Sequence, residues 1–126
     1  MLTDHQVAGT TVVAIDGDFD VKQRDRLDDA FAAALGSSLV VVDLERTRYL
    51  DSTVLSCFMR LQTTMLDRGG QLVLVRVPVT ILRLLESSGL LSLFDVRDGL
   101  RDVEAEQHAR GGGLRRIELI AGDAGR

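Results

Sequence analysis

The chain has 126 residues, 45% of them hydrophobic and only 4% aromatic, which suits one domain with an aliphatic core. A net charge of −4 argues against a nucleic-acid backbone as partner, and no apolar run approaches the roughly 18 residues of a membrane span. The opening MLTDHQVAGT has neither the basic start nor the apolar centre of a secretory signal, and the single cysteine, Cys57, has no partner for an internal disulfide; the expected setting is a soluble cytoplasmic one.

Strand-like and helix-like segments alternate along the chain. Val7 to Ile15 reads as one strand, or as a short hairpin and a strand, and Gly17, Asp18 and Asp20 close it. From Val21 the period becomes helical: Leu27, Ala30, Phe31, Ala34 and Leu35 share a face, and Gly36 is the expected C-cap. Leu39 to Leu44 is a continuous apolar run of the kind buried on both faces of a sheet. The segment RYLDSTVLSCF follows, with Asp51, Ser52 and Thr53 ahead of a helix whose expected inner face is Leu55, Phe58, Met59, Gln62 and Leu66. Gly69 and Gly70 stop that helix.

Leu72 to Val77 is the next strand. Pro78 suits the first turn of a helix carrying Ile81, Leu82 and Leu85, and Gly89 ends it. Leu93 to Val96 is a weak strand, and Leu100, Val103 and Ala105 suggest a last helix starting near Asp98. Gly111 to Gly113 reads as a flexible break, and the tail from Leu114 as a short strand or a mobile end. The expected fold is therefore α/β: a mixed, mostly parallel central sheet of about four or five strands with about four helices. The expected domain spans residues 1–109, with 110–126 as break and tail.

In such sheets the loops leaving the carboxyl ends of strands gather at one edge, where ligands and partners bind. Two polar loops belong there: Gly17-Asp18-Phe19-Asp20, and Leu50 to Thr53 after the central strand. Ser52 has two readings. It can cap the helix, the commonest use of a serine at this position. It can also be a chemical switch, because a phosphate there would add about 1.5 to 2 negative charges at a helix N-terminus beside Asp51, Asp18 and Asp20.

Other candidates are weaker. Ser87-Ser88-Gly89 reads as a helix C-cap and Cys57 as a small buried hydrophobe. His5 and His108 stand far apart, with no cluster at ligand spacing, so neither a metal nor a cofactor is expected. No nucleophile-elbow motif supports a hydrolase. A phospho-aspartate receiver would need a lysine after its last strand, and the only lysine is Lys22. Arg110, Arg115 and Arg116 read as a solvated basic cluster.

Several motifs in order resemble the STAS family, the domain of sulphate transporters and anti-sigma factor antagonists, and within it the stand-alone bacterial antagonists. Gly17-Asp18-Phe19-Asp20 is similar to the family's Gly-acid-apolar-Asp motif, and Val42-Asp43-Leu44 to its apolar-Asp-Leu strand end. Asp51-Ser52-Thr53-Val54-Leu55 matches four positions of its Asp-Ser-Ser/Thr-Gly-Leu switch, with Gly70 to Val75 and Gly89 to Phe94 resembling later segments. Val54 stands where the pattern has Gly, and Ser56 where a second Gly is common. A glycine there would let a partner's backbone approach, so the bulkier Val54 is expected to crowd it.

The resemblance implies a non-enzymatic transcription regulator of a bacterial stress response. By it, Ser52 is the phosphoacceptor, and Gly17, Asp18, Phe19, Asp20, Asp51, Thr53 and Val54 form the partner-binding surface. The implied partners are an anti-sigma factor with kinase activity, which releases its sigma factor on binding, and a serine phosphatase that restores the antagonist. The protein itself is expected to be a monomer or weak dimer. The alternative is a STAS subunit of an anion or lipid transporter, or a non-phosphorylated interaction domain, with Ser52 as a cap only.

Overall fold

The computed structural model describes residues 7–99, 101, 103 and 113–121. The elements follow in the order β1 (Val7–Phe19), a 3-10 turn (Val21–Gln23), α1 (Arg24–Ala34), β2 (Ser37–Asp43), β3 (Thr47–Leu50) and α2 (Ser52–Asp67). Then come β4 (Gln71–Val75), α3 (Val79–Ser87), a second 3-10 turn (Leu91–Leu93), β5 (Asp95–Arg97) and β6 (Leu114–Ile120). The expected parallel α/β sheet is present, with six strands rather than four or five and three α-helices among the described residues. The expected last helix lies outside the described residues apart from Arg101 and Val103, both helical.

The sheet runs β3-β1-β2-β4-β5, and each recorded pairing is parallel. β1 is a single long strand, and two partners share its outer edge. β6 pairs with Thr10 to Asp16, and β3 takes over from Gly17 to Phe19. The handover comes at Gly17, whose φ of 102° puts it where a side chain is strained.

Two cores follow from the period-2 alternation of the strands. On one face Val13, Ile15, Val40, Val42, Leu72 and Leu74 pack beneath α1, α2 and α3. On the other, Val12, Leu39, Val41, Val73 and Val75 pack with Val103. Because both faces are covered, β2 and β4 carry unbroken apolar runs rather than alternating ones. α1 meets α2 through the tilted ring pair Phe31–Phe58, with centroids 5.8 Å apart.

Several expectations are corrected. α1 ends on Leu35 as its C-cap, and Gly36 does not adopt a left-handed conformation. The inner face of α2 is Val54, Leu55, Cys57, Phe58, Leu61 and Met65, while Met59 and Leu66 are exposed. That helix carries apolar residues around most of its circumference, so its sequence allows more than one buried face; packing against α1 and β4 selects it. The last strand of the weak region is Asp95–Arg97, because Leu91 to Leu93 are taken up in a 3-10 turn.

Leu114–Ile120, expected as a strand or a mobile tail, forms β6. Arg115 and Arg116 are not merely solvated. Arg115 donates to the Ala33 carbonyl and Arg116 to Glu118, while Arg26 donates to the Ile120 carbonyl at 3.1 Å, so β6 is pinned to α1 at both ends. Arg110 lies outside the described residues.

Candidate functional site

The largest departure from the sequence reading is β3. The polar loop bearing Ser52 does not leave the central strand β2. After Asp43 the chain crosses to the outer edge and pairs Thr47–Leu50 beside Gly17–Phe19. Thr47 is anchored there by a hydroxyl donated to the Ile15 carbonyl at 2.6 Å. With four residues and no regular alternation, this strand has little signal of its own in the sequence. Its consequence is direct: Gly17–Phe19, expected as a loop but forming the end of β1, lies beside the segment that leads to Ser52, and the Asp51 N–H donates to the Phe19 carbonyl at 3.2 Å.

Asp51 organises the edge. It is the N-cap of α2, with extended backbone, and its Oδ1 accepts the Val54 N–H at 3.0 Å. Its Oδ2 accepts the Val21 N–H, also at 3.0 Å, at the start of the 3-10 turn. Asp20 caps that same turn: its Oδ1 accepts from the Lys22 N–H at 2.8 Å, and its own N–H donates to Gln23 Oε1 at 2.9 Å. This is a capping box, the reciprocal arrangement that satisfies two orphan donors at once.

Since Asp51 is the cap, Ser52 is not. Ser52 is the first residue of α2, exposed, and its hydroxyl makes no hydrogen bond among the described residues; only its carbonyl is used, by Ser56 Oγ at 3.0 Å. Thr53 beside it is half-buried. Asp18 is exposed and forms a 3.4 Å ion pair with Arg48, a surface contact of small energetic weight. Gly17 is half-buried; a Cβ placed on it would stand 3.0 Å from the Ala121 Cβ, so the residue that follows β6 rests against this end of β1.

Two of the expected surface residues are not on the surface. Phe19 and Val54 are each 0% exposed and belong to the main core. Their side chains shape the edge from beneath and offer nothing to a partner. The bulk of Val54 is therefore directed into the core, and the expectation that it crowds an approaching backbone is not met by the geometry. Conversely, three exposed apolar side chains border the edge: Val21 at 59% and Tyr49 at 52%, which the sequence reading did not single out, and Met59 at 37%, which it placed on the inner face of α2. Met59 follows Ser52 by seven residues, two helical turns on the same face, and that spacing was readable.

The remaining candidates sit in structural roles. Ser88 is the C-cap of α3 and its hydroxyl donates to the Leu84 carbonyl at 2.8 Å, while Gly89 takes φ 78° and ends the helix. Cys57 is buried, and burial first, then Asp28, pushes its thiol up from the ordinary value, the opposite of an activated thiolate. No group of three metal-ligating side chains occurs among the described residues; His5 and His108 lie outside them. A cleft of about 420 Å³ opens on the other face of the sheet beside Asp43, Arg116 and Glu118. There Asp43 pairs with Arg76 and Arg116 with Glu118.

The structure thus presents a parallel sheet with a serine exposed at a helix start, beside the acidic end of the first strand. A family model described as "Mlab, STAS domain" matches residues 2–95, and the chain belongs to the STAS domain family. Among solved structures, a sulfate transporter family protein from Wolinella succinogenes aligns with TM-score 0.69 and 19% identity, over 80% of this chain and 86% of that one. The Bacillus anti-sigma factor antagonist SpoIIAA, unphosphorylated, aligns with TM-score 0.62 and 16% identity over 88% and 96%. The STAS domain of a SulP transporter from Vibrio cholerae aligns with TM-score 0.61 and 14% identity over 86% and 88%. No curated protein matches by sequence. At these identities the likeness is one of fold, shared by antagonists and transporter domains. Among the described residues, no helix is long and apolar enough to cross a membrane.

Proposed function

We propose that the chain is an anti-sigma factor antagonist switched by phosphorylation at Ser52. The observation that carries this reading is the transfer of the capping role to Asp51, which leaves the Ser52 hydroxyl exposed and without a hydrogen bond. A partner that is both anti-sigma factor and serine kinase binds the edge formed by Asp18, Ser52, Thr53 and the apolar Val21, Tyr49 and Met59. In the switching step Ser52 Oγ attacks the γ-phosphorus of ATP held by the kinase. The Oγ–P bond forms, ADP leaves, and the hydroxyl proton passes to a base on the kinase. The new dianion stands beside Asp51, Asp20 and Asp18, where like charges make the surface repel the partner until a serine phosphatase removes it.

The test is to incubate the chain with its cognate anti-sigma kinase and ATP and weigh it intact. One phosphate is expected, and none on Ser52→Ala. Phosphate found only on other residues, or a Ser52→Asp variant that binds the partner unchanged, would refute the switch.

A second reading, a STAS subunit regulating an anion or lipid transporter, is favoured by the transporter STAS domains among the structural neighbours. Co-purification with a membrane transporter in place of a small kinase decides for it.

A further inference from the structure

The outer side of β1 is completed by β6, and among the described residues β6 has no strand on its own far side. The opposite end of the sheet stops at β5, which with three residues offers a neighbour almost no ladder. β6 has seven residues, Leu114–Ile120, and pairs in unbroken register with β1. Short length, proline, lysine and bulges commonly keep an edge from pairing with another chain, and β6 has none of them.

The two ends of β6 fix which of its groups face outward. The Gly113 carbonyl accepts the Thr10 N–H at 2.9 Å, and the Ala121 N–H donates to the Asp16 carbonyl at 2.9 Å, both toward β1. Across those same trans peptides the Leu114 N–H and the Ile120 carbonyl point away from β1. Alternation along the strand then turns the backbone groups of Leu114, Arg116, Glu118 and Ile120 outward, with their side chains on one face. On the other face Ile117 and Leu119 pack with the main core.

We propose that β6 is a self-pairing edge, on which a second copy of this chain lays its own β6 antiparallel about a two-fold axis at Ile117. An antiparallel ladder sets outward residues against outward residues, which confines the axis to Arg116, Ile117 or Glu118 if most of the strand is used. An axis at Arg116 puts that arginine against itself, and one at Glu118 puts two carboxylates together. Centred on Ile117, Arg116 faces Glu118 of the second copy, and Leu114 faces its Ile120. Both apolar residues are exposed in the single chain, at 51% and 40%, and cover each other in the pair. Within one chain Arg116 touches Glu118 at 3.0 Å and has Asp43 at 3.9 Å, so the seam continues an existing row of alternating charge. Arg26 donates to the Ile120 carbonyl at 3.1 Å, and that oxygen keeps a second lone pair for the Leu114 N–H of the other copy. One strand pair is smaller than the roughly 1,200–2,000 Å² of stable complexes, so the dimer is weak and concentration-dependent. It does not depend on how Ser52 is used.

The test is sedimentation velocity of the full chain from about 5 µM to about 1 mM, the range of a weak complex. The mass should rise from 13.8 kDa toward twice that value. Glu118→Arg and Arg116→Glu should each weaken the dimer at least about tenfold, because like charges then stand opposite at both symmetric places. An equimolar mixture of these two variants should associate to within about threefold of the native chain, since only the mixed pair restores opposite charges across the seam. Glu118→Pro, which removes an N–H that faces outward, should leave a folded monomer. Circular dichroism and the urea midpoint report the folding of each variant.

A chain that stays monomeric throughout the range overturns the proposal, as does a dimer indifferent to Glu118→Arg and Glu118→Pro. A mixture of the two folded charge variants that fails to associate overturns the register. Should Arg116→Glu not fold beside Asp43, the two Glu118 variants still decide.

Discussion

Restoring the glycine that the STAS switch pattern carries at position 54 should weaken the fold and leave the surface alone. Val54 is fully buried in the main core, in the first turn of α2. Val54→Gly removes three buried carbons, which at about 0.8 kcal/mol each amounts to about 2.4 kcal/mol of transfer free energy. The helix preference of Gly relative to Val adds about 0.5 kcal/mol, and whatever cavity persists adds to that. The expected loss is about 3 kcal/mol. With a urea m-value of about 1.5 kcal/mol/M for a domain of this size, the unfolding midpoint falls by about 2 M. Equilibrium urea unfolding followed by circular dichroism reads this directly, and the m-value should hold. Partner affinity and the extent of Ser52 phosphorylation should be unchanged under conditions where the variant is folded. A loss below about 1 kcal/mol would show that these methyl groups are not packed as described. Tighter partner binding by the glycine variant would show instead that the valine faces the partner, and the reasoning would fail.

Other expectations rest on separate contacts. Gly17→Ala should cost about 1–3 kcal/mol, since the residue has φ 102° and its new Cβ would meet Ala121 at 3.0 Å; Gly36→Ala, with nothing within 4 Å, is the near-neutral control in the same unfolding assay. Arg76→Ala should cost about 3 kcal/mol, because it strips the main partner from the Asp43 carboxylate, which is 4% exposed and keeps Arg116 only at 3.9 Å. Arg76→Ala combined with Asp43→Asn should cost less than the two single changes added together, a coupling that a double-mutant cycle measures. Asp95 is held below its ordinary value of 3.8, chiefly by the hydrogen bond from Arg97 and despite partial burial, with Gln71 helping. A lowered folded value contributes stability above pH 3.8 that is lost as pH falls through the depressed one. Arg97→Ala should therefore cost stability at pH 7 and little at pH 2, and an equal loss at both would point to packing instead.

Much of the fold was legible because its signals are local. β2 and β4 declare themselves as apolar runs covered on both faces, and α1 by Leu27, Ala30, Phe31 and Ala34 at helical spacing. Gly89 ends α3 because a left-handed residue is needed there, which any single turn of chain can specify. Ser52 at the start of a helix was readable in the same way, whereas Gly17–Phe19, expected as a polar loop, prolong β1 because β3 pairs with them.

What the tertiary structure alone decided is where those pieces meet. β3 is too short to announce itself, yet by pairing with Gly17–Phe19 it carries Asp51 to Val21 and joins the two loops. That pairing decides which side chain caps α2, and so whether Ser52 is spent on the helix or left free. Val54 departs from the motif the chain resembles; burial shows it facing inward, in the same core as Phe58, which packs on Phe31. Local sequence determines which segments form and where they stop. The side each residue presents depends on hydrogen bonds and contacts between segments 30 or more residues apart, and these form only when the sheet closes around them.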